Sequence, residues 1–171
     1  HAATWVSAPF RELFDRTIPL WRQDNFSLRY ALSIPREELQ GAHMQCKKQL
    51  MGLVNRETGA GMDENILTIG FARRAATYKR ADLLFRDMER LKRISNEVGK
   101  IQIIYGGKAH PRDHEGKELI KRIFWAKNEL QHAIKVAYLV TGPRALFNLP
   151  EPGFAYLWIK KNEIILQVIS A

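Results

Sequence analysis

Apolar positions recur along this chain in two rhythms, and the change from one to the other divides it. Between residues 36 and 56, Leu39, Ala42, His43, Cys46, Leu50, Leu53 and Val54 follow one another at helical spacing, which predicts a long helix with one buried stripe. Ser33 and Pro35 open that helix and Gly59 stops it. His43 on this stripe reads as a packed histidine rather than a ligand. Shorter helices are predicted over Pro9 to Asp15 and Asn25 to Leu32, with Trp5 and Trp21 as core anchors. From Ile66 onward, short continuous apolar runs alternate with amphipathic segments. Ile66 to Phe71, Ile101 to Tyr105 and Val136 to Leu139 read as strands. Tyr78 to Ile94 reads as a helix buried through Leu84, Met88 and Leu91, and His114 to Leu130 as one buried through Leu119, Ile120, Ile123 and Phe124. Strands without internal alternation are covered on both faces, so the pattern predicts an α/β fold with a Rossmann-like parallel sheet and right-handed crossovers.

The rhythm changes again after Leu139. Thr141 to Pro152 is rich in Gly and Pro, and Phe154 to Ile159 and Ile164 to Ile169 flank Lys160 to Glu163 as the arms of a β-hairpin. The expected organisation is therefore a connecting helical segment (1–62), a Rossmann-like phosphate-binding half-domain (63–140) and a divergent tail (141–171).

Composition narrows the class. A length of 171 residues with 46% hydrophobic residues is enough for one domain with a real core. No apolar run is long enough for a membrane span and no signal-peptide pattern opens the sequence, so a cytoplasmic protein is expected. The single cysteine, Cys46, rules out an internal disulfide and a multi-cysteine zinc site, and its place on the helical stripe marks it as a packed thiol. A net charge of +9 raises the question of a polyanionic partner. The excess is local: between Arg73 and Arg93 eight basic residues face only Asp82, Asp87 and Glu89. Nucleic acid is one use of such a patch, but only Tyr78 and Phe85 interrupt the charges, too few aromatics for a base-stacking platform.

A discrete phosphate is the better use. The carboxyl end of a parallel strand is where α/β proteins bind ligands, and Ile66 to Phe71 delivers Arg73, Arg74, Lys79 and Arg80 there, at what reads as the start of a helix. Arg74 offers a bidentate fork and Lys79 a compact charge, so together they can orient a phosphate and neutralise it. A second segment, Gly106-Gly107-Lys108-Ala109-His110-Pro111, also follows a strand and precedes a helix. Its glycines can take positive φ and let backbone approach a ligand or another loop; Lys108 is open to two readings, a secondary phosphate or active-site wall contact and a structural role. His110, Asp113 and His114 do not make a convincing metal site, because Asp113 is better placed as a helix N-cap. No metal is expected, and no Ser/His/Asp or Cys/His set is recognisable.

The stretches Gly70 to Phe85 (GFARRAATYKRADLLF) and Ile103 to Ile120 (IIYGGKAHPRDHEGKELI), at consistent spacing, resemble the α-glucan (glycogen or maltodextrin) phosphorylase family. His1 to Trp5 and Trp21 to Leu32 are similar to its bacterial and archaeal branch, so the resemblance covers about residues 1–139. It implies a fragment of the C-terminal catalytic domain of a two-domain GT-B glycosyltransferase. The implied reaction is phosphorolysis: phosphate cleaves the terminal α-1,4-linked glucose, giving glucose 1-phosphate with retention. The implied cofactor is pyridoxal phosphate, whose 5′-phosphate takes part in proton handling. Carried over by motif, Arg74 and Lys79 hold the substrate phosphate, Arg73 the cofactor phosphate, and Tyr78 lies near the glucosyl unit; Tyr78, Gly106, Gly107 and Lys108 are candidates for the active-site wall. The family's cofactor-lysine segment has no counterpart after Leu139, so this chain is expected to be inactive alone, with glucan and phosphate bound by the complete enzyme. The rival readings are a nucleotide-sugar-dependent glycosyltransferase of the same architecture and a basic nucleic-acid-binding module.

Overall fold

The computed structural model describes residues 6–140 and the backbone of 167–169. Trp5, the first arm of the predicted hairpin and residues 164–166 of its second arm lie outside them. Helix α1 (Ala8–Thr17) begins with Pro9 in its first turn, where a missing N–H costs nothing. Asn25–Ser33 forms a 3₁₀ segment whose start is capped by the Asp24 carboxylate, which accepts from Phe26 N at 2.9 Å. Helix α2 (Arg36–Thr58) follows Pro35 and stops at Gly59, whose φ of 63° lies in the left-handed region. The predicted stripe is buried at Ala42, Cys46, Leu50 and Val54, while Leu39, His43 and Leu53 are half-buried.

Strands β1 (Leu67–Ala72), β2 (Ile101–Gly106) and β3 (Lys135–Leu139) pair in parallel. β4 (Gln167–Ile169) joins the free edge of β1 antiparallel, giving the order β3-β2-β1-β4. Between the parallel strands lie α3 (Met88–Glu97) and α4 (His114–Leu130). Alternate strand residues face opposite layers. Ile69, Phe71, Ile103, Tyr105, Val136 and Tyr138 pack with Leu91 of α3 and Leu119, Ile123 and Leu130 of α4. Ala72, Ile104, Ala137 and Leu139 pack with Leu50, Met51 and Val54 of α2. A third cluster joins Phe10, Leu13 and Trp21 to Ala42 and Cys46, fastening α1 to the first half of α2. Both faces of the parallel strands are thus covered, as their uninterrupted apolar runs require. No helix of the described residues is long and apolar enough to cross a membrane.

The expected helix from Tyr78 to Ile94 does not form as one piece. Single 3₁₀ turns at Thr77–Lys79 and Leu83–Phe85 precede α3, which starts only at Met88. Arg80 adopts φ 48° and ends the first turn, and the Asp87 carboxylate accepts from Arg90 N at 2.9 Å, placing the true helix start ten residues late. Phe124 also departs from expectation: it is 39% exposed, its ring meeting Tyr138 at the helix margin.

Candidate functional site: a basic loop at the carboxyl end of the sheet

The site is built where β1 and β2 end. β1 continues past Gly70, which pairs with Ile104 inside the sheet, and its last pair is Ala72 with Gly106. The next residues extend this register as loops: Arg73 N donates to Gly106 O at 3.0 Å, Ala75 N to Lys108 O at 3.2 Å, and Gly107 N to Leu139 O at 3.3 Å. The two sequence segments singled out by their composition therefore lie against each other. Gly107 has φ 155°, and a Cβ there would stand 2.0 Å from Arg73 O, so only glycine fits beneath the basic loop. Gly106 stays in the strand and does not take the positive φ expected of it. Tyr138 Oη donates to Gly107 O at 3.1 Å and Tyr105 Oη to Ala81 O at 2.7 Å, anchoring both ends of the region to the core.

On this frame the basic side chains are displayed differently. Arg73 is half-buried, and its Nη2 is buried with no hydrogen-bond partner among the described residues. Arg74 is exposed. The Lys79 ammonium sits 4.5 Å from the centroid of the exposed Tyr78 ring, within cation–π range. Arg74, by hydrogen bonding to the Tyr78 hydroxyl, and Lys79, by its charge, hold that phenol below the usual tyrosine range. Arg74 and Tyr78 line an open cleft with Thr77, His110, Arg112, Asp113 and Glu115. Arg73, Lys79 and Lys108 do not line it, and Lys108 is exposed beside it.

The electrostatic origin of the site differs from the expected one. Three-residue 3₁₀ turns have no helix dipole to offer, so any anion here is held by side chains and loop N–H groups rather than by a helix start at Tyr78. Asp113 caps α4, accepting from Gly116 N at 2.8 Å, in agreement with its reading as an N-cap. Thr77, Arg112, Glu115 and Gly116 escape sequence reasoning. Gly116 carries the one available signal, a glycine inside the first turn of an otherwise good helix, where alanine is favoured by propensity.

No protein-family model matches the chain. It is similar to the maltodextrin phosphorylase of Thermococcus litoralis, with 42% identity over 141 residues covering 72% of the chain. It is similar to the glycogen phosphorylase of Aquifex aeolicus, with 35% identity over 161 residues covering 81% of the chain. It is also similar to a glycogen phosphorylase of Mycobacterium tuberculosis, with 40% identity over 92 residues covering 52% of the chain and 11% of that relative. The chain spans 17% of the first relative's length and 23% of the second's.

Proposed function

Since this chain belongs to the glycogen and maltodextrin phosphorylase family, we propose that residues 63–140 are the phosphate-binding half-domain of an enzyme that releases glucose 1-phosphate from α-1,4-glucan chains. On this reading residues 1–62 are its connecting helical segment. The observation that carries the proposal is the cationic loop at the carboxyl end of β1, with its buried, unpartnered Arg73 Nη2 beside exposed Arg74. Arg74 binds the substrate phosphate through its planar fork and Lys79 neutralises it as a point charge, which lowers the cost of charge building up in the transition state. Tyr78, its ring braced by Lys79, borders the glucosyl unit. Gly107 allows the approach of the two loops, and Lys108 stands as the second wall.

Pyridoxal phosphate is the cofactor of the complete enzyme. Arg73 fits it, because a buried donor without a partner is costly unless an acceptor arrives, and a phosphate oxygen is such an acceptor. When bound, the cofactor's phosphate supplies proton handling beside the substrate phosphate. The 171-residue chain, spanning 17% and 23% of the two relatives' lengths, is expected to bind phosphate, while glucan turnover belongs to the complete enzyme. A cytoplasmic location accords with this role.

Phosphate binding by the 171-residue chain tests the proposal. Inorganic phosphate should raise the melting temperature by mass action, and Arg74→Ala should remove most of that rise. Equal shifts in the parent and the variant would exclude Arg74 from the site. Submicromolar, sequence-dependent DNA binding at physiological salt would instead favour a nucleic-acid role.

A further inference from the structure

We propose that Thr77, Glu115 and Gly116 are positioning residues: the first turn of α4 holds the loop 73–79 in its phosphate-binding shape, an inference that rests on the function proposed above. The first half of the loop is tied by its backbone to the segment after β2, through Arg73 N and Ala75 N. Its second half, which carries Tyr78 and Lys79, is tethered to α4 by Thr77 Oγ1, which donates to Glu115 Oε2 at 2.9 Å across 38 residues of sequence. Next to that tether the helix backbone presses on the loop. A Cβ on Gly116 would lie 2.6 Å from Ala75 O and 2.9 Å from the Asp113 carboxylate that caps the helix. Ala75 O is backbone and the Asp113 carboxylate is held by its bond from Gly116 N at 2.8 Å, so a methyl group at 116 would displace the loop or break the cap.

Gly116 opposes local preference, whereas Glu115 suits the first turn of a helix but opposes the charge of the cleft. Glycine inside a helix costs about 1 kcal/mol relative to alanine by propensity. Its presence at 116 fits the need for close approach. Glu115 places a carboxylate on the cleft that Arg74 lines, where it repels an incoming anion. Its acceptor oxygen for Thr77 supplies the compensating role. Charge and geometry therefore make opposite predictions for substitutions at 115, which separates positioning from electrostatics.

The experiment measures phosphate affinity of the full chain by calorimetric titration, well below its melting temperature. Thr77→Val, which removes the hydroxyl without changing charge, should weaken phosphate binding about 3- to 10-fold, the range expected for one lost hydrogen bond, and Thr77→Ser should restore it. Glu115→Gln keeps an acceptor while removing the repelling charge and should bind phosphate as well as the parent or better. Glu115→Ala should bind more weakly than Glu115→Gln. Gly116→Ala should weaken binding by at least as much as Thr77→Val, and if that variant does not fold, the Thr77 and Glu115 series still decides. Parent-like affinity in Thr77→Val, or equal affinity in the two Glu115 variants, would overturn the positioning role. Arg74→Ala runs in parallel. If it abolishes binding while Thr77→Val is unaffected, only the positioning inference fails; if the parent binds no phosphate, the functional reading fails and takes the inference with it.

Discussion

Tyr78 shows how the basic loop acts on a single group. Arg74 as hydrogen-bond donor and Lys79 as nearby charge favour the phenolate, so its pKa in the folded chain lies below that of the unfolded chain. The sign of the linkage follows: as pH rises through the folded value the native state releases its proton first and gains stability relative to the unfolded chain, a gain complete above the unfolded value and absent well below the folded one. The same ionisation introduces a negative charge between the two cations proposed to bind phosphate. Phosphate affinity should therefore fall on the alkaline side, below the usual tyrosine range of about 10, and Tyr78→Phe should extend the plateau to higher pH. Titrations of the parent and Tyr78→Phe at matched ionic strength provide the check; superimposable pH profiles would show that Tyr78 does not face the anion. The buried tyrosines behave in the opposite sense. Burial pushes Tyr138 up to about 12 and Tyr105 further, so neither ionises in the same window. The family resemblance singled out Tyr78 as a candidate for the site; the ordering of these tyrosines depends on which of them the fold buries.

At the scale of elements, the regular helices α2 and α4 were legible from the local signals at their ends. Pro35 and Gly59 bracket α2, which ends two residues beyond the expected Arg56, and Asp113 marks the start of α4. Two glycines of α2 give a test with opposite signs. Gly59→Ala places a side chain at φ 63° and should destabilise the chain by about 1 kcal/mol. Gly52→Ala, in the helix interior with nothing within 4 Å of its new methyl group, should stabilise it by roughly 0.5–1 kcal/mol. Denaturant melts of both variants suffice. The segment from Tyr78 to Ile94 was not legible, because an apolar periodicity survives in two 3₁₀ turns and a short helix joined by Arg80 in left-handed conformation. Tertiary bonds help to hold this irregular stretch, Tyr105 Oη to Ala81 O and Arg122 Nε to Asp82 Oδ2, the first of them buried. Tyr105→Phe should therefore destabilise the chain by about 1–3 kcal/mol, the cost of leaving a buried carbonyl without its donor. A loss below a few tenths of a kcal/mol in chemical melts would show that water replaces it. Lys47 is another surprise of α2: its side chain is buried and its ammonium donates to Ile66 O at 2.8 Å, just ahead of β1. Nothing in the helical stripe announces a buried lysine.

For the molecule as a whole, the parallel strands leave β1 with a free edge, and an exposed strand edge invites pairing with another chain. Gln167, Val168 and Ile169 pair antiparallel with Gly70, Ile69 and Thr68 along that edge. The other arm of the expected hairpin lies outside the described residues. This pairing makes capping the expected role of the tail. A chain ending at Val140 should melt at lower temperature and self-associate more readily than the full chain, as read by thermal melts and light scattering. An unchanged, monodisperse melt would mean that the edge needs no cover.

The sequence by itself determined the alternation of apolar strands with amphipathic helices, and hence the parallel sheet. It also determined the chemical identity of the loop, because Arg73, Arg74 and Lys79 bring their charges whatever the neighbouring loops do. Both are local properties, written in periodicity and side-chain type. The tertiary structure alone decided what surrounds those charges. Thr77 meets Glu115 and Gly107 admits Arg73 because parallel register brings two distant loops to one end of the sheet. It also decided that Tyr78 is exposed and lowered while Tyr138 is buried and raised. Contacts between segments more than thirty residues apart depend on how layers pack, and no local spacing in the chain records that packing.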